Sequence, residues 1–304
     1  MPVARTKSGV ELTYEERGRG EPLVLISGIG MQLVSWPDGL LDALAARGLR
    51  VIVFDNRDVG CSTKLTSAGV PPVRRLLARA FVGLPVTAPY TLFDMADDVA
   101  GLLDHLGIEQ AHVAGTSLGG MVAQAFAASH PRRARTLASL MSFSGGRRMP
   151  GKPSATLKLV RRPPRTRDEA VEWQLDFFRT AGSTGFYRDE RALALRAARA
   201  FDRGLSPAGF ARQFAAVLAT GDMRPRLAAV TAPTLVLHGS VDPIFRPECA
   251  EDTARAIPGA TKRIVHGWGH DLAEGVWDVI VPQIADHALA HRIEAERGVD
   301  ETRA

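Results

Sequence analysis

Residues 111–129 constrain the fold more than any other stretch of this chain. The apolar run Ala111-His-Val-Ala-Gly-Thr116 passes through Gly115-Thr116-Ser117-Leu118-Gly119 and straight into Leu118–Ser129, a helix-period segment that closes before Pro131. A strand that becomes a helix without a linker has to turn within a few residues, and any Cβ at Gly115 or Gly119 would collide with the neighbouring strand and helix. This predicts a nucleophile elbow. Its serine, Ser117, sits on a strained turn with a helix N-terminus behind it, where negative charge is favoured.

Alternation of strand and helix continues on both sides. Strands are predicted at Val10–Glu16, Pro22–Ser27, Arg50–Asp55, Ala111–Thr116 and Thr136–Phe143, then at Pro233–His238 and Thr261–His266. Helices are predicted at Leu40–Ala46, Thr91–Leu106, Leu118–Ser129 and Glu248–Ala256, with a last one from Gly275. Thr91 followed by Asp94 resembles a capping box. From Ser144 to about residue 226 strand periodicity stops, leaving helical stretches at Arg167–Thr180, Asp189–Phe201 and Pro207–Ala219. The expectation is therefore an α/β fold with a mostly parallel sheet flanked by helices. Residues 1–143 and 227–304 form its core, and 144–226 form an inserted helical lid.

Composition removes other classes. With 304 residues, 45% hydrophobic and 23% charged, the chain suits one large globular domain and neither a disordered nor a fibrous one. No stretch reaches the ~18 apolar residues of a membrane span, so no stable membrane insertion is expected. The N-terminus lacks a signal-peptide apolar core, which points to the cytoplasm. Cys61 and Cys249 are too few for a disulfide framework, and no residue cluster has metal-ligand spacing, so no metal is expected. The net charge of +5 does not argue for nucleic acid: only five of the 38 basic residues are lysine, which reads as a codon-level preference for arginine.

An elbow serine needs an acid and a base later in the chain, in that order. Asp242 follows a predicted strand in Gly239-Ser-Val-Asp-Pro, and His270 follows the next in Gly267-Trp-Gly-His-Asp. Both fall in loops at strand C-termini, where open α/β sheets bind ligands. Asp271 is read as a surface or capping carboxylate, and Asp55 and Asp58 as braces of their loop. His238 and His266 read as packed or hydrogen-bonded imidazoles, and His105, His112, His130, His287 and His291 as residues in or beside helices. An oxyanion would be held by the Leu118 N–H and by a second donor, Ile29, in the glycine-rich loop Ser27-Gly-Ile-Gly-Met31.

Elbow, acid turn and Gly-x-Gly-His in this order resemble the α/β-hydrolase superfamily. Trp36-Pro-Asp-Gly with Asp55-Asn-Arg-Asp-Val-Gly-Cys-Ser-Thr resembles the aclacinomycin methylesterase group and related bacterial carboxylesterases. The resemblance implies a cofactor-independent serine esterase acting on a small-molecule ester, some relatives taking bulky polyketides. In it Ser117 is nucleophile, Asp242 acid and His270 base, with Ile29 and Leu118 as donors. Ser27 departs from the histidine that many members carry, with little expected consequence because backbone forms the hole. The same triad serves lactonases, thioesterases, perhydrolases and C–C hydrolases, and a non-catalytic small-molecule receptor on this fold stays open. A monomer or homodimer is expected.

Residues 144–226 carry 17 basic and eight acidic residues, a surplus of +9 against −4 for the rest. Solvated helix faces or attraction of anionic acyl groups both account for it. Trp173, Phe177, Phe178, Phe186, Phe201, Phe210 and Phe214 read mostly as lid core, with one or two lining an acyl pocket. Arg74-Arg75-Leu-Leu-Ala-Arg79 predicts a short amphipathic helix beside the cleft, or else a membrane-surface patch; the first is favoured.

Overall fold

In the computed structural model, residues 1–292 are described apart from 146–150, 153, 156, 157, 159 and 160. The predicted lid overlaps these positions, and that part of it lies outside the described residues. An eight-stranded sheet runs through the molecule in the order β1-β2-β4-β3-β5-β6-β7-β8. Its strands are β1 Val3–Arg5, β2 Glu11–Arg17, β3 Glu21–Ile26, β4 Leu49–Phe54, β5 Ala111–Thr116, β6 Ala134–Leu140, β7 Thr234–Gly239 and β8 Thr261–Val265. β1 and β2 pair antiparallel and all other neighbours from β4 onward pair parallel, with β2 antiparallel to β4.

Helices cover both faces, as a parallel sheet requires. Two apolar clusters result: α3 (Leu92–His105) and α4 (Leu118–Ser129) bury Val99, Leu103, Val122 and Phe126 on one face, whereas α1 (Asp38–Ala46) and the C-terminal helix bury Leu40, Leu44, Ile280 and Ile284 on the other. The α3 capping box forms as the sequence suggests, with Asp94 accepting from the Thr91 amide at 2.7 Å and the Thr91 hydroxyl accepting from the Asp94 amide. α2 (Val73–Phe81) is the short amphipathic helix expected around Arg74.

β6 and β7 pair directly although residues 141–233 lie between them. The described part of that stretch contains no strand. It holds α5 (Arg167–Ala181), α6 (Glu190–Asp202), α7 (Pro207–Thr220) and a single turn at Arg224–Leu227, followed after β7 by α8 (Glu248–Ala256) and finally α9 (Trp277–Leu289). Two sequence expectations shift, and one strand was not predicted. β6 stops at Leu140 rather than Phe143 because Met141 adopts a positive φ of 47°, which ends the pleat. His112 lies in β5, as the predicted strand Ala111–Thr116 requires, and so does not belong among the histidines in or beside helices. β1, only three residues long, carries too little periodicity to read from sequence.

Candidate active site

Four loops at the C-terminal ends of parallel strands converge. β5 delivers Ser117, whose φ of 56° and ψ of −121° belong to the strained turn of an elbow. A Cβ on Gly115 would overlap the Gly119 carbonyl oxygen, and one on Gly119 would overlap that of Ile26. The turn is tied down on both sides: the Ser117 amide donates to Leu140 O at 3.0 Å, and the Ser142 hydroxyl donates to Ser117 O at 2.7 Å.

β7 leads to Asp242 and β8 to His270, and the two meet at 2.7 Å between Asp242 Oδ2 and His270 Nδ1. A carboxylate only accepts, so Nδ1 carries a proton, and in the neutral ring Nε2 is the acceptor. The other carboxylate oxygen, Oδ1, accepts from the amides of Ile244 and Phe245 at 2.8 and 3.0 Å, which fixes the acid against its own turn. The His270 amide donates to Ala181 O at 2.7 Å, tying the histidine loop to the end of α5. Phe245 sets its ring edge-on to the imidazole. Ser117 and His270 line one cavity of about 400 Å³ without a hydrogen bond between their side chains. Such bonds are commonly long before substrate binds.

β3 leads into Ser27-Gly-Ile-Gly30. Neither the Ile29 nor the Leu118 amide has a hydrogen-bond partner among the described residues, and both residues line the cavity beside Ser117. Ser27 accepts from Trp36 Nε1 at 2.8 Å, so its hydroxyl is engaged with a buried indole. Sequence reasoning missed the residue that holds this loop from above. Gln213 of α7, fully buried, accepts from the Gly30 amide at 2.8 Å and donates to Arg57 O at 2.9 Å. A polar residue on the apolar stripe of an amphipathic helix was the available signal.

The competing side chains have other partners. Asp271 is buried rather than at the surface: it accepts from the Ser183 amide at 3.0 Å, the Ser183 hydroxyl at 2.6 Å and Arg188 at 3.1 Å. His238 is packed, donating from Nε2 to Phe245 O at 2.9 Å, and burial holds its pKa below the ordinary imidazole value. His266 is exposed. Asp55 braces its loop by accepting from the Leu33 and Cys61 amides at 2.7 and 2.8 Å, and also pairs with Arg203. Asp58 accepts a bidentate pair from Arg212 at 2.8 and 2.6 Å and a bond from Tyr90 at 2.8 Å. Burial alone would raise the Asp58 carboxyl, yet Arg212, the Leu65 amide and Tyr90 together hold it below the usual carboxylate range. With Arg188–Asp271, Arg196–Glu274 and Arg199–Asp38, five arginines of the 144–226 stretch reach acids outside it. Much of the basic surplus therefore ties this stretch to the loops and helices outside it.

The aromatic expectation is corrected upward. Trp173, Phe177, Phe178, Phe210 and Phe214 all line the cavity, five of the seven named from sequence. Trp173 Nε1 and Arg161 Nε, also in its wall, have no hydrogen-bond partner among the described residues.

Comparison with known proteins now bears on this geometry. A family model described as the alpha/beta hydrolase fold matches residues 21–274. The chain belongs to the alpha/beta hydrolase fold family. Among its relatives, rhodomycin D methylesterase DnrP of Streptomyces peucetius is 26% identical, with 95% of this chain and 99% of that protein covered. The 3-oxoadipate enol-lactonase 2 of Acinetobacter baylyi is 26% identical over 93% of each. Of solved structures, the enol-lactonase from Burkholderia xenovorans LB400 superposes with a TM-score of 0.71 at 23% identity, covering 94% of this alpha/beta hydrolase and 99% of that chain. Among the described residues no group of three His, Cys, Asp or Glu is arranged to hold a metal ion.

Proposed function

We propose that this alpha/beta hydrolase is a serine carboxylic-ester hydrolase that works through an acyl-enzyme. The observation that carries the reading is the Asp242–His270 bond of 2.7 Å beside a strained Ser117 on one cavity wall. Ser117 Oγ attacks the ester carbonyl as His270 Nε2 takes its proton, and Asp242 stabilises the imidazolium. The oxyanion accepts from the Ile29 and Leu118 amides, with the α4 N-terminus behind them. The imidazolium then gives its proton to the departing alkoxide, and a water activated by the same nitrogen releases the acid.

The apolar, aromatic walls support a bulky acyl or alcohol part, and the methylesterase relatives support an ester of natural-product size. Trp173 Nε1 and Arg161 Nε suit an oxygen acceptor on that part. Residues 144–226 act as the lid that shapes the pocket.

A fluorophosphonate probe tests the mechanism. It is expected to add its mass to the peptide holding Gly115–Gly120 in wild type and to leave Ser117→Ala unlabelled and inactive on p-nitrophenyl esters. Labelling at another residue, or hydrolysis retained by Ser117→Ala, overturns the proposal. A folded wild type that turns over no ester, lactone or thioester in a panel is instead a receptor.

A further inference from the structure

Four of the eleven exposed large apolar side chains among the described residues, Val70, Phe81, Val82 and Leu84, fall within fifteen residues of chain around α2. The helix divides cleanly. Leu76 is buried and Val73, Leu77 and Ala80 are half-buried, an inward stripe at helical spacing, whereas Arg74, Arg75, Arg79 and Phe81 are exposed. The turn after the helix is built, not loose: the Gly83 and Leu84 amides donate to Ala80 O and Arg79 O at 3.0 and 2.9 Å, and the Arg79 guanidinium donates twice to Pro85 O at 3.0 and 2.9 Å. Phe81, Val82 and Leu84 are thus held out in water by a defined turn, and clustered exposure of this kind marks an interaction site.

Charge selects the occupant. From residue 59 to residue 93 there is no aspartate or glutamate, while Lys64, Arg74, Arg75 and Arg79 are present. Lys64 is spent on the carbonyls of Val59 and Ser62 and part of the Arg79 guanidinium on Pro85 O, so Arg74, Arg75 and the remaining donors of Arg79 make the outer face basic. We propose that α2 and its following turn dock on an anionic lipid surface. Phe81, Val82 and Leu84 enter the boundary between headgroups and acyl chains, and Arg74, Arg75 and Arg79 meet lipid phosphates. The contact is interfacial, since no helix among the described residues is long and apolar enough to cross a membrane. Val73 of the same helix lines the cavity, and α2 packs on α7, whose Phe210 and Phe214 line it too. Docking therefore sets the cavity beside the lipid, where an apolar ester partitions.

The test is vesicle flotation of the full chain. Binding is expected to phosphatidylglycerol vesicles at low salt, with little to phosphatidylcholine and a loss at high salt. The Arg74→Gln, Arg75→Gln variant, which leaves the Arg79–Pro85 contact of the turn intact, should partition about 25-fold less, from roughly fivefold per arginine. The Phe81→Ser, Val82→Ser, Leu84→Ser variant should lose binding, and both should hydrolyse soluble p-nitrophenyl acetate like wild type. Phe81→Trp, which keeps the apolar bulk, should shift its emission to the blue on anionic vesicles. No flotation, equal partition to both lipids, or binding indifferent to all variants overturns the proposal. A dimer in sedimentation velocity that the serine variant dissolves would assign the face to a second copy and overturn it as well. The readout is binding, so its failure and that of the esterase reading are separable.

Discussion

Ser117 holds a backbone conformation that side chains rarely take, in a turn packed so closely that neither Gly115 nor Gly119 has room for a Cβ. Strain of this sort costs ~1–3 kcal/mol. Glycine tolerates these dihedrals but loses ~0.5–1 kcal/mol in chain entropy. Ser117→Gly is therefore expected to abolish hydrolysis while raising stability by about 1 kcal/mol, or ~2–4 °C in Tm for a chain of this size. A lower Tm would mean that the turn stores no strain. The acid is separable in the same way. Asp242→Asn keeps an acceptor for the Ile244 and Phe245 amides but loses the charge facing His270, so kcat should fall by about two to four orders of magnitude with Tm nearly unchanged. Asp271→Asn should stay within about tenfold in kcat yet lower Tm, because it removes the charge facing Arg188 and one of the two oxygens that accept from Ser183 and Arg188. The reverse order of activities would move the acid to Asp271. The tight turn from strand to helix at Ser117 was legible because its constraint is local, within five residues. The burial of Asp271 was not, since its partners lie more than eighty residues away in the chain.

Helix α7 shows why element boundaries read well from sequence and element roles do not. Its limits, Pro207–Thr220, differ by one residue from the expectation, since Ser206 and Pro207 signal the start and Gly221 the stop. Periodicity also says that Phe210 and Phe214 share a face, but not whether that face meets packed side chains or a cavity. Here it meets the cavity, as do three aromatic residues of α5. The element's second task, holding the Ser27–Gly30 loop through Gln213, depends on a contact between residues 183 apart in the chain, so local pattern marked Gln213 as out of place on an apolar stripe without naming its partner. Replacing Gln213 by leucine leaves the Gly30 amide and the Arg57 carbonyl without their partner, at ~1–3 kcal/mol each. Gln213→Leu should lower Tm by several degrees and reduce kcat by about tenfold or more with a smaller change in KM, because it loosens the Ser27–Gly30 loop, which the proposed mechanism uses to hold the oxyanion, rather than the substrate walls. Gln213→Glu, which retains an acceptor for Gly30, should recover part of kcat. Equal loss in kcat with both variants would reduce Gln213 to packing.

At the scale of the whole molecule, the charge asymmetry between residues 144–226 and the rest is consumed largely by arginine–acid pairs across the boundary, and so the pH limits of the fold are set by other, buried groups. His112, fully buried in β5 with Nδ1 on Thr136 at 2.9 Å, is pushed down to about 4 by burial, and His238 is lowered for the same reason. In the unfolded chain both titrate near 6.5. Between pH 6.5 and 4 the unfolded state therefore binds protons that the folded state refuses, and stability falls as pH falls through that window. Asp58, held below the carboxylate range, adds a further loss below about pH 4, when protonation breaks its pairing with Arg212. On the alkaline side the buried Cys249 thiol is pushed up to about 12, so the unfolded chain releases its proton from about pH 8.5 and stability falls again as pH rises. Urea unfolding should thus show a plateau between about pH 6.5 and 8.5 with declining shoulders. His112→Gln, which keeps a partner for Thr136 without a titrating ring, should flatten the acid shoulder in part, and Cys249→Ala should flatten the alkaline one. An acid shoulder unchanged in His112→Gln would mean that the imidazole takes its proton inside the fold as readily as in water, and the buried assignment of β5 would have to be given up.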